Sequence, residues 1–302
     1  MNISLEGKVA IVTGAGGGLG RSHALALAAR GARVLVNDFG GRRDGREPSN
    51  AVAQRVADEI AALGGDAIAS GADVSSVDQV AEMVDLAIAR WGRVDILVNN
   101  AGILRDRTFA KAELDDFRTV LEVHLMGSVH CTKAVWEPMR QQGYGRIVFT
   151  SSSSGLYGNF GQSSYAAAKM ALVGLMNTLR LEGEKHGIRV NCLSPSASTR
   201  MTDDIMESEQ LALLGPERVS PAVVALCAEG APNGMILCAG GGSFERAYVT
   251  LTRGIRLGDG ECAEQILAQL DRISDRTGEM IPDHGPDQAS WEMGRTPATL
   301  VA

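Results

Sequence analysis

Five of the eight residues from 13 to 20, Thr-Gly-Ala-Gly-Gly-Gly-Leu-Gly, are glycine, and what flanks them constrains the chain more than any other stretch. Ahead lies a short β-branched run, residues 8–12 (Lys-Val-Ala-Ile-Val), which reads as a strand. Behind lies the Ala/Leu-rich segment 21–30, which reads as a helix closed by Gly31. A glycine turn between strand and helix lets backbone come close to a pyrophosphate, while the helix N-terminus offers unpaired N–H groups and a positive dipole end. A glycine cluster alone carries little weight; the strand before it and the helix after it supply the required context.

The next strand, residues 32–37, ends at Asp38. An acid at that place accepts from the adenosine ribose hydroxyls and repels a 2′-phosphate, which favours NAD over NADP. Arg42, Arg43 and Arg46 follow; they read either as a phosphate contact or as a solvated turn with Gly40, Gly41 and Gly45. Alternation then continues. Helices are expected over 50–63, 76–91, 113–142 and 164–185, and strands over 66–70, 94–98, 145–151, 188–193 and, last, 235–238. Strand and helix alternating in this way give right-handed crossovers and an α/β fold, a Rossmann-like doubly wound parallel sheet. With 302 residues and 45% hydrophobic content the chain can bury one substantial core. Ligands in such a sheet lie outside the carboxyl ends of the strands, where Gly14, Asp38, Asp73, Asn100 and Ser152 all fall.

Tyr165 and Lys169 stand four apart in a run of helix formers, so they share a helix face. A free tyrosine titrates near pH ~10, and a neighbouring cation would favour its phenolate and make it a usable acid/base. The strand ending at Thr150 delivers Ser151, Ser152, Ser153 and Ser154 to the same place, and one of those hydroxyls could hold a substrate oxygen.

Other classes recede. A net charge of −7 argues against nucleic acid or an anionic membrane as partner. No apolar run approaches the roughly 20 residues of a membrane span, and the first residues lack a secretory pattern, so a cytoplasmic protein is expected. Five cysteines without a C-x-x-C pair read as small apolar residues; no metal site is expected.

Thr13-Gly-x-x-x-Gly18-x-Gly20, Asn99-Asn-Ala-Gly102 and Tyr165-x-x-x-Lys169, with Ser152 thirteen residues before the tyrosine, resemble the short-chain dehydrogenase/reductase family over about residues 5–245. The resemblance implies a nicotinamide cofactor and a homodimer or homotetramer. It implies Tyr165 as general acid/base, Lys169 lowering its pKa and holding the nicotinamide ribose, and Ser152 positioning the substrate oxygen. It places Gly14, Gly18, Leu19 and Gly20 at the pyrophosphate, Asp38 at the adenosine ribose, Asp73 and Val74 at the adenine, and Asn100 and Ala101 beside the ribose. Pro195 to Thr199 would close over the nicotinamide, although Pro195-Ser196 stands where the family usually has Pro-Gly. His124 occupies a position where the family often carries an asparagine supporting a water chain to the lysine. It reads as a proton shuttle or as a hydrogen-bonded packing residue.

Within the family, residues 36–41, 99–109, 157–162 and 198–202 are similar to the dehydrogenase part of the peroxisomal multifunctional enzymes of type 2. That likeness implies oxidation of (3R)-hydroxyacyl-CoA, and of some steroids, with NAD. With Ala302 as the last residue and no Ser-Lys-Leu-like ending, a stand-alone dehydrogenase outside the peroxisome is expected. An NADP-dependent ketoacyl reductase, a hydroxysteroid dehydrogenase and a non-catalytic nucleotide-binding protein are the alternatives. Residues 198–215 read as a mobile substrate loop, and Arg105 and Arg107 as candidate contacts for CoA or as solvated charges. Residues 1–245 form the expected dehydrogenase domain, and 246–302 a C-terminal extension packed on or beside it. In that extension a helix over 262–273 is expected, with Pro282, Gly285 and Pro286 breaking regular structure beyond it. Residues 170–176 are apolar on every side, so the helix bearing them should be buried all round, one face against a second subunit.

Overall fold

The computed structural model describes residues 3–40, 51–197, 213–258 and 262–294. The chain divides into two compact units, Met1–Arg246 and Ala247–Ala302.

One sheet organises the first unit. Its strands are β1 (Val9–Val12), β2 (Arg33–Asn37), β3 (Ala67–Ser70), β4 (Ile96–Asn99), β5 (Gly145–Thr150), β6 (Ile188–Ser196), β7 (Ile236–Gly240) and β8 (Ser243–Ala247). They lie in the order β3-β2-β1-β4-β5-β6-β7-β8, and every pairing from β3 to β7 is parallel. The order reverses between β1 and β4, so the crevice for a ligand opens at their carboxyl ends. Side chains of β1 and β4 are buried on both faces, as near-continuous apolar runs in a parallel sheet require. Strand β8 is an addition to the expected strands, the last of which is 235–238. Gly241 and Gly242, at φ 60° and 91°, make a two-residue connection with both residues left-handed, which folds β8 back on β7 as a hairpin.

The crossovers are helices α1 (Gly18–Ala28), α2 (Ala51–Ala62), α3 (Val77–Trp91), α4 (Leu114–Leu121), α5 (Gly127–Gln142), α6 (Ser153–Tyr157), α7 (Ser163–Gly183) and α8 (Ser220–Cys227). Helix α1 starts at Gly18, three residues ahead of expectation, so the glycine segment itself winds the first turn. Ser76 caps α3 by accepting from the Gln79 N–H (3.4 Å). The helix expected over 113–142 is interrupted: Glu122–Met126 widens into a single π-helical stretch between α4 and α5, and it carries His124. The short α6 and α8 have too few residues for periodicity to reveal them.

Helix α7 buries one face within the chain and exposes the face expected to meet a second subunit. Ala168, Leu172, Val173 and Met176 are buried, whereas Met170 and Leu181 on the opposite side are 39% and 42% exposed. The second unit carries helices α9 (Ala263–Ala268), α10 (Leu270–Ile273) and α11 (Gly285–Glu292). The last overturns the reading of Gly285 and Pro286 as breakers. Proline in the first turn lacks only an N–H that a helix leaves unpaired there, and Asp287 accepts from the Asp283 and His284 N–H groups (2.8 and 3.2 Å).

Candidate active site

At the carboxyl end of β1 the glycines are required by contact. A Cβ on Gly20 would lie 2.2 Å from the Gly14 carbonyl oxygen, and one on Gly14, itself at φ 63°, would lie 2.7 Å from Ala101 Cα. Asn100 clamps this turn to the end of β4: its Nδ2 donates to the carbonyls of Thr13 (2.9 Å) and Gly14 (3.1 Å). Thr13 Oγ1 returns the bond by accepting from the N–H groups of Asn100 and Ala101 (both 3.0 Å). Thr13 was not among the expected site residues; its place directly before the first glycine was the available signal. A Cβ on Gly17, just before α1, would meet nothing within 4 Å, which leaves the helix N-terminus open to an anion. Gly18 and Leu19 open α1 itself. This cradle fits a pyrophosphate.

Asp38 follows β2 and accepts from Gly16 N–H and Gly40 N–H, each at 2.7 Å. Its carboxylate is therefore also a staple of the glycine turn. Asp73 accepts from Ser75 N–H (2.9 Å) and Ser75 Oγ (2.7 Å), fixing the turn after β3, and Val74 is buried beside Gly127. Pro195 continues β6 in register with Ala239, so the Pro-Ser departure leaves a regular extended path. Thr199, Arg42, Arg43, Arg46 and most of the expected substrate loop lie outside the described residues.

Ser152, Tyr165, Lys169 and His124 come together at the ends of β4 and β5. Ser152 caps α6, its Oγ accepting from Ser154 N–H (3.2 Å), and its hydroxyl is near enough to the Tyr165 phenol to favour the ionised form. The neighbouring serines face elsewhere: Ser151 Oγ donates to the Lys169 carbonyl (2.9 Å) and Ser154 Oγ to Gln162 Oε1 (2.8 Å). Lys169 Nζ lies 5.5 Å from the Tyr165 ring centroid and donates to the Thr150 carbonyl at 2.5 Å.

The electrostatics differ from expectation. Burial pushes the Tyr165 phenol above its ordinary value; the nearby Ser152 hydroxyl opposes this and Asp106 adds to it. The lysine itself is brought down to about 7, because burial penalises its ammonium. His124 stands edge-on to Tyr165, with ring centroids 5.1 Å apart and planes at 89°. Its Nε2 meets the Ile103 carbonyl (2.8 Å) and N–H (3.1 Å), and a Cβ on Gly102 would strike the ring. Burial, then the Lys169 charge, push it down to about 3. It is neutral at pH 7, which removes the reason for reading it as a shuttle that titrates near neutrality. Of the candidate CoA contacts, Arg105 pairs with Asp116, whereas Arg107 is exposed. Such a constellation can hold a hydroxyl or carbonyl oxygen between a serine and a tyrosine and pass its proton.

Comparison with known proteins agrees with this geometry. Residues 8–210 match the family model described as short chain dehydrogenase. A putative short-chain type dehydrogenase/reductase of Mycobacterium tuberculosis is 45% identical over 278 residues, covering 92% of this chain and 97% of that protein. The peroxisomal multifunctional enzyme type 2 of Drosophila melanogaster is 50% identical over 224 residues, 74% of this chain but 37% of that protein. Its full-length structure superposes with a TM-score of 0.81 at 35% identity, covering 96% of this chain and 49% of that one. A 7α-hydroxysteroid dehydrogenase complexed with NADH and 7-oxo glycochenodeoxycholic acid gives 0.72 at 33% identity, covering 80% and 96%. Model match, identity and superposition converge: the chain belongs to the short chain dehydrogenase family of oxidoreductases.

Proposed function

We propose that the chain is an NAD-dependent (3R)-hydroxyacyl-CoA dehydrogenase that works in the cytoplasm as a homodimer or homotetramer. The observation that carries the chemistry is the convergence of Ser152, Tyr165 and Lys169 at the carboxyl ends of the central strands, the end of the sheet that also holds the glycine cradle. The likeness to the type 2 multifunctional enzymes supports the substrate class. Helix α7 supports assembly, since Met170 and Leu181 lie exposed on one side of it. No helix among the described residues is long and apolar enough to cross a membrane.

The residues divide the work as follows. Ser152 Oγ already accepts from Ser154 N–H, so its own proton is free to be donated to the substrate oxygen. Tyr165 takes the hydroxyl proton during oxidation and returns it during reduction. A bound nicotinamide supplies the hydride acceptor. Lys169 and Asn100 line the ribose side, Asp38 receives the adenosine ribose, and Asp73 and Val74 receive the adenine. Neutral His124 backs the phenol and excludes water from it. Residues 1–245 constitute the catalytic domain and 246–302 an accessory extension.

Reduction of NAD with (3R)- and (3S)-hydroxyacyl-CoA esters, and with hydroxysteroids, tests the proposal. Turnover of the (3R) ester is expected, with kcat/KM for NAD exceeding that for NADP by more than about tenfold, as roughly 1.4 kcal/mol of repulsion at Asp38 would give. Turnover of steroids alone would favour a hydroxysteroid dehydrogenase, the reading suggested by the steroid-bound neighbour. A preference for NADP would favour a ketoacyl reductase.

A further inference from the structure

Two loops at the mouth of the site display exposed aromatic rings. Phe160, between α6 and α7, is 90% exposed, and Phe109, in the single 3₁₀ turn Phe109–Lys111 after β4, is 76% exposed. Neither loop is loose. Arg107 N–H donates to the Gly161 carbonyl (2.9 Å), and Gln162 Nε2 donates to Asp106 Oδ2 (2.7 Å). Gln162 Oε1 in turn accepts from Ser154 Oγ (2.8 Å) and Asn159 Nδ2 (3.0 Å). The junction is therefore pinned to the same short helix that Ser152 caps, and it presents Arg107 and Phe160 at fixed positions outside the reacting groups.

Charge at this junction is selective. Asp116 is taken by Arg105 and Asp115 by Arg118. The exposed side chains of Arg107 and Lys111 have no ion-pair partner among the described residues, on a chain whose net charge is −7. An exposed guanidinium and an exposed aromatic ring on two loops joined by the Arg107–Gly161 backbone bond suit one chemistry well: phosphate on the cation and a purine on the ring. We infer that Arg107 and Phe160, flanked by Phe109 and Lys111, form an outer docking site for the phosphorylated adenine-nucleotide end of a CoA thioester whose acyl end reaches Ser152 and Tyr165. The inference rests on the proposed (3R)-hydroxyacyl-CoA activity and assigns its carrier a place that the reacting groups do not.

The test compares one hydroxyacyl group on two carriers, CoA and N-acetylcysteamine, which lacks the nucleotide. For the Arg107→Ala enzyme the ratio of kcat/KM for the CoA ester to that for the truncated ester is expected to fall about tenfold, carried by KM, the size of one charge-assisted contact. Arg107→Lys should recover part of that ratio by keeping the charge without the fork, and Phe160→Ala should lower it about threefold. An unchanged ratio overturns the site, as does an equal loss on both esters, which would make Arg107 a loop brace. A wild-type ratio near one also overturns the site while leaving the dehydrogenase reading intact. A wild-type enzyme inert toward both esters overturns that reading and the site with it.

Discussion

The two ends of β4 and β5 treat buried polar groups in opposite ways. At the amino ends every charge is closed off. Asp95, fully buried, accepts from Val9 N–H (2.9 Å) and from both forks of Arg93 (2.8 and 2.6 Å). Arg146, 2% exposed, donates to the carbonyls of Gly145, Gly187, Ala228 and Glu229 at 2.7 to 3.0 Å and stacks on Tyr144, whose ring also meets the Lys8 ammonium. The Tyr144 hydroxyl is the exception, without a partner among the described residues. At the carboxyl ends, some 20 Å or less along the same strands, the pattern reverses. Asn99 Oδ1, Thr150 Oγ1 and His124 Nδ1 are buried without partners among the described residues, and the Lys169 ammonium has one hydrogen bond for three N–H groups. Polar groups that hold the fold are satisfied by the fold; those at the reacting end are left with valence to offer. Unsatisfied buried groups cost on the order of 1–3 kcal/mol each, so this end is kept at the expense of stability.

If that division is right, the largest effect belongs to the carboxyl end and should appear in rate alone. Tyr165→Phe removes the one proton-transferring group while keeping the ring that His124 packs against. The expected loss in kcat is about 10³-fold, within the range of general acid–base catalysis, with Tm nearly unchanged. Steady-state kinetics beside thermal unfolding check it; retained turnover would detach the site from the chemistry.

The amino end should respond the other way. Arg146→Met strips donors from four carbonyls around a buried side chain. An expected cost of about 3 kcal/mol lowers Tm by roughly 6–12 °C for a domain of this size. KM and kcat per folded molecule should stay within about twofold of the wild type, since the lost bonds lie at the end of the sheet away from the crevice. A drop in kcat with unchanged Tm would erase the contrast between the ends.

How far this could be read from the residues follows the same physics. The sheet was legible because β1, β4 and β5 are continuous apolar runs between glycine turns, and the glycine cradle because strand and helix bracket it. That Tyr165 and Lys169 share a helix face was legible by spacing, whereas Ser152 was singled out from the neighbouring serines only by the family resemblance. What spacing could not reveal was environment. His124 looks like a titrating residue in sequence, yet its burial against Gly102 and Ile103 keeps it neutral. The same burial reverses the expected direction for Tyr165. Strand β8 was missed because its signal is the Gly241-Gly242 turn rather than its own exposed residues, and α11 because Pro286 reads as a breaker until its place in the first turn is known.

Lys169 gives the smallest effect and the sharpest sign. In the folded chain burial brings it to about 7 from an ordinary 10.5, so between those values the unfolded chain holds a proton that the folded chain has released. Stability therefore rises with pH across that window, and below about pH 7 the cost of burying the ammonium is fully present. Lys169→Met keeps the apolar stem and removes the charge. The Thr150 carbonyl loses its donor, at about 1 kcal/mol, but relief from the desolvated ammonium is larger, so a net gain of roughly 1–2 kcal/mol and a few °C in Tm is expected at pH 6. The gain should shrink as pH approaches 10, where wild type has shed the proton, and activity should be lost at every pH. Thermal unfolding of both proteins at pH 6 and pH 9 decides the point. A Lys169→Met protein less stable than wild type at pH 6 would mean that the ammonium is as well satisfied as Arg146, and the two ends of the sheet would no longer differ in kind.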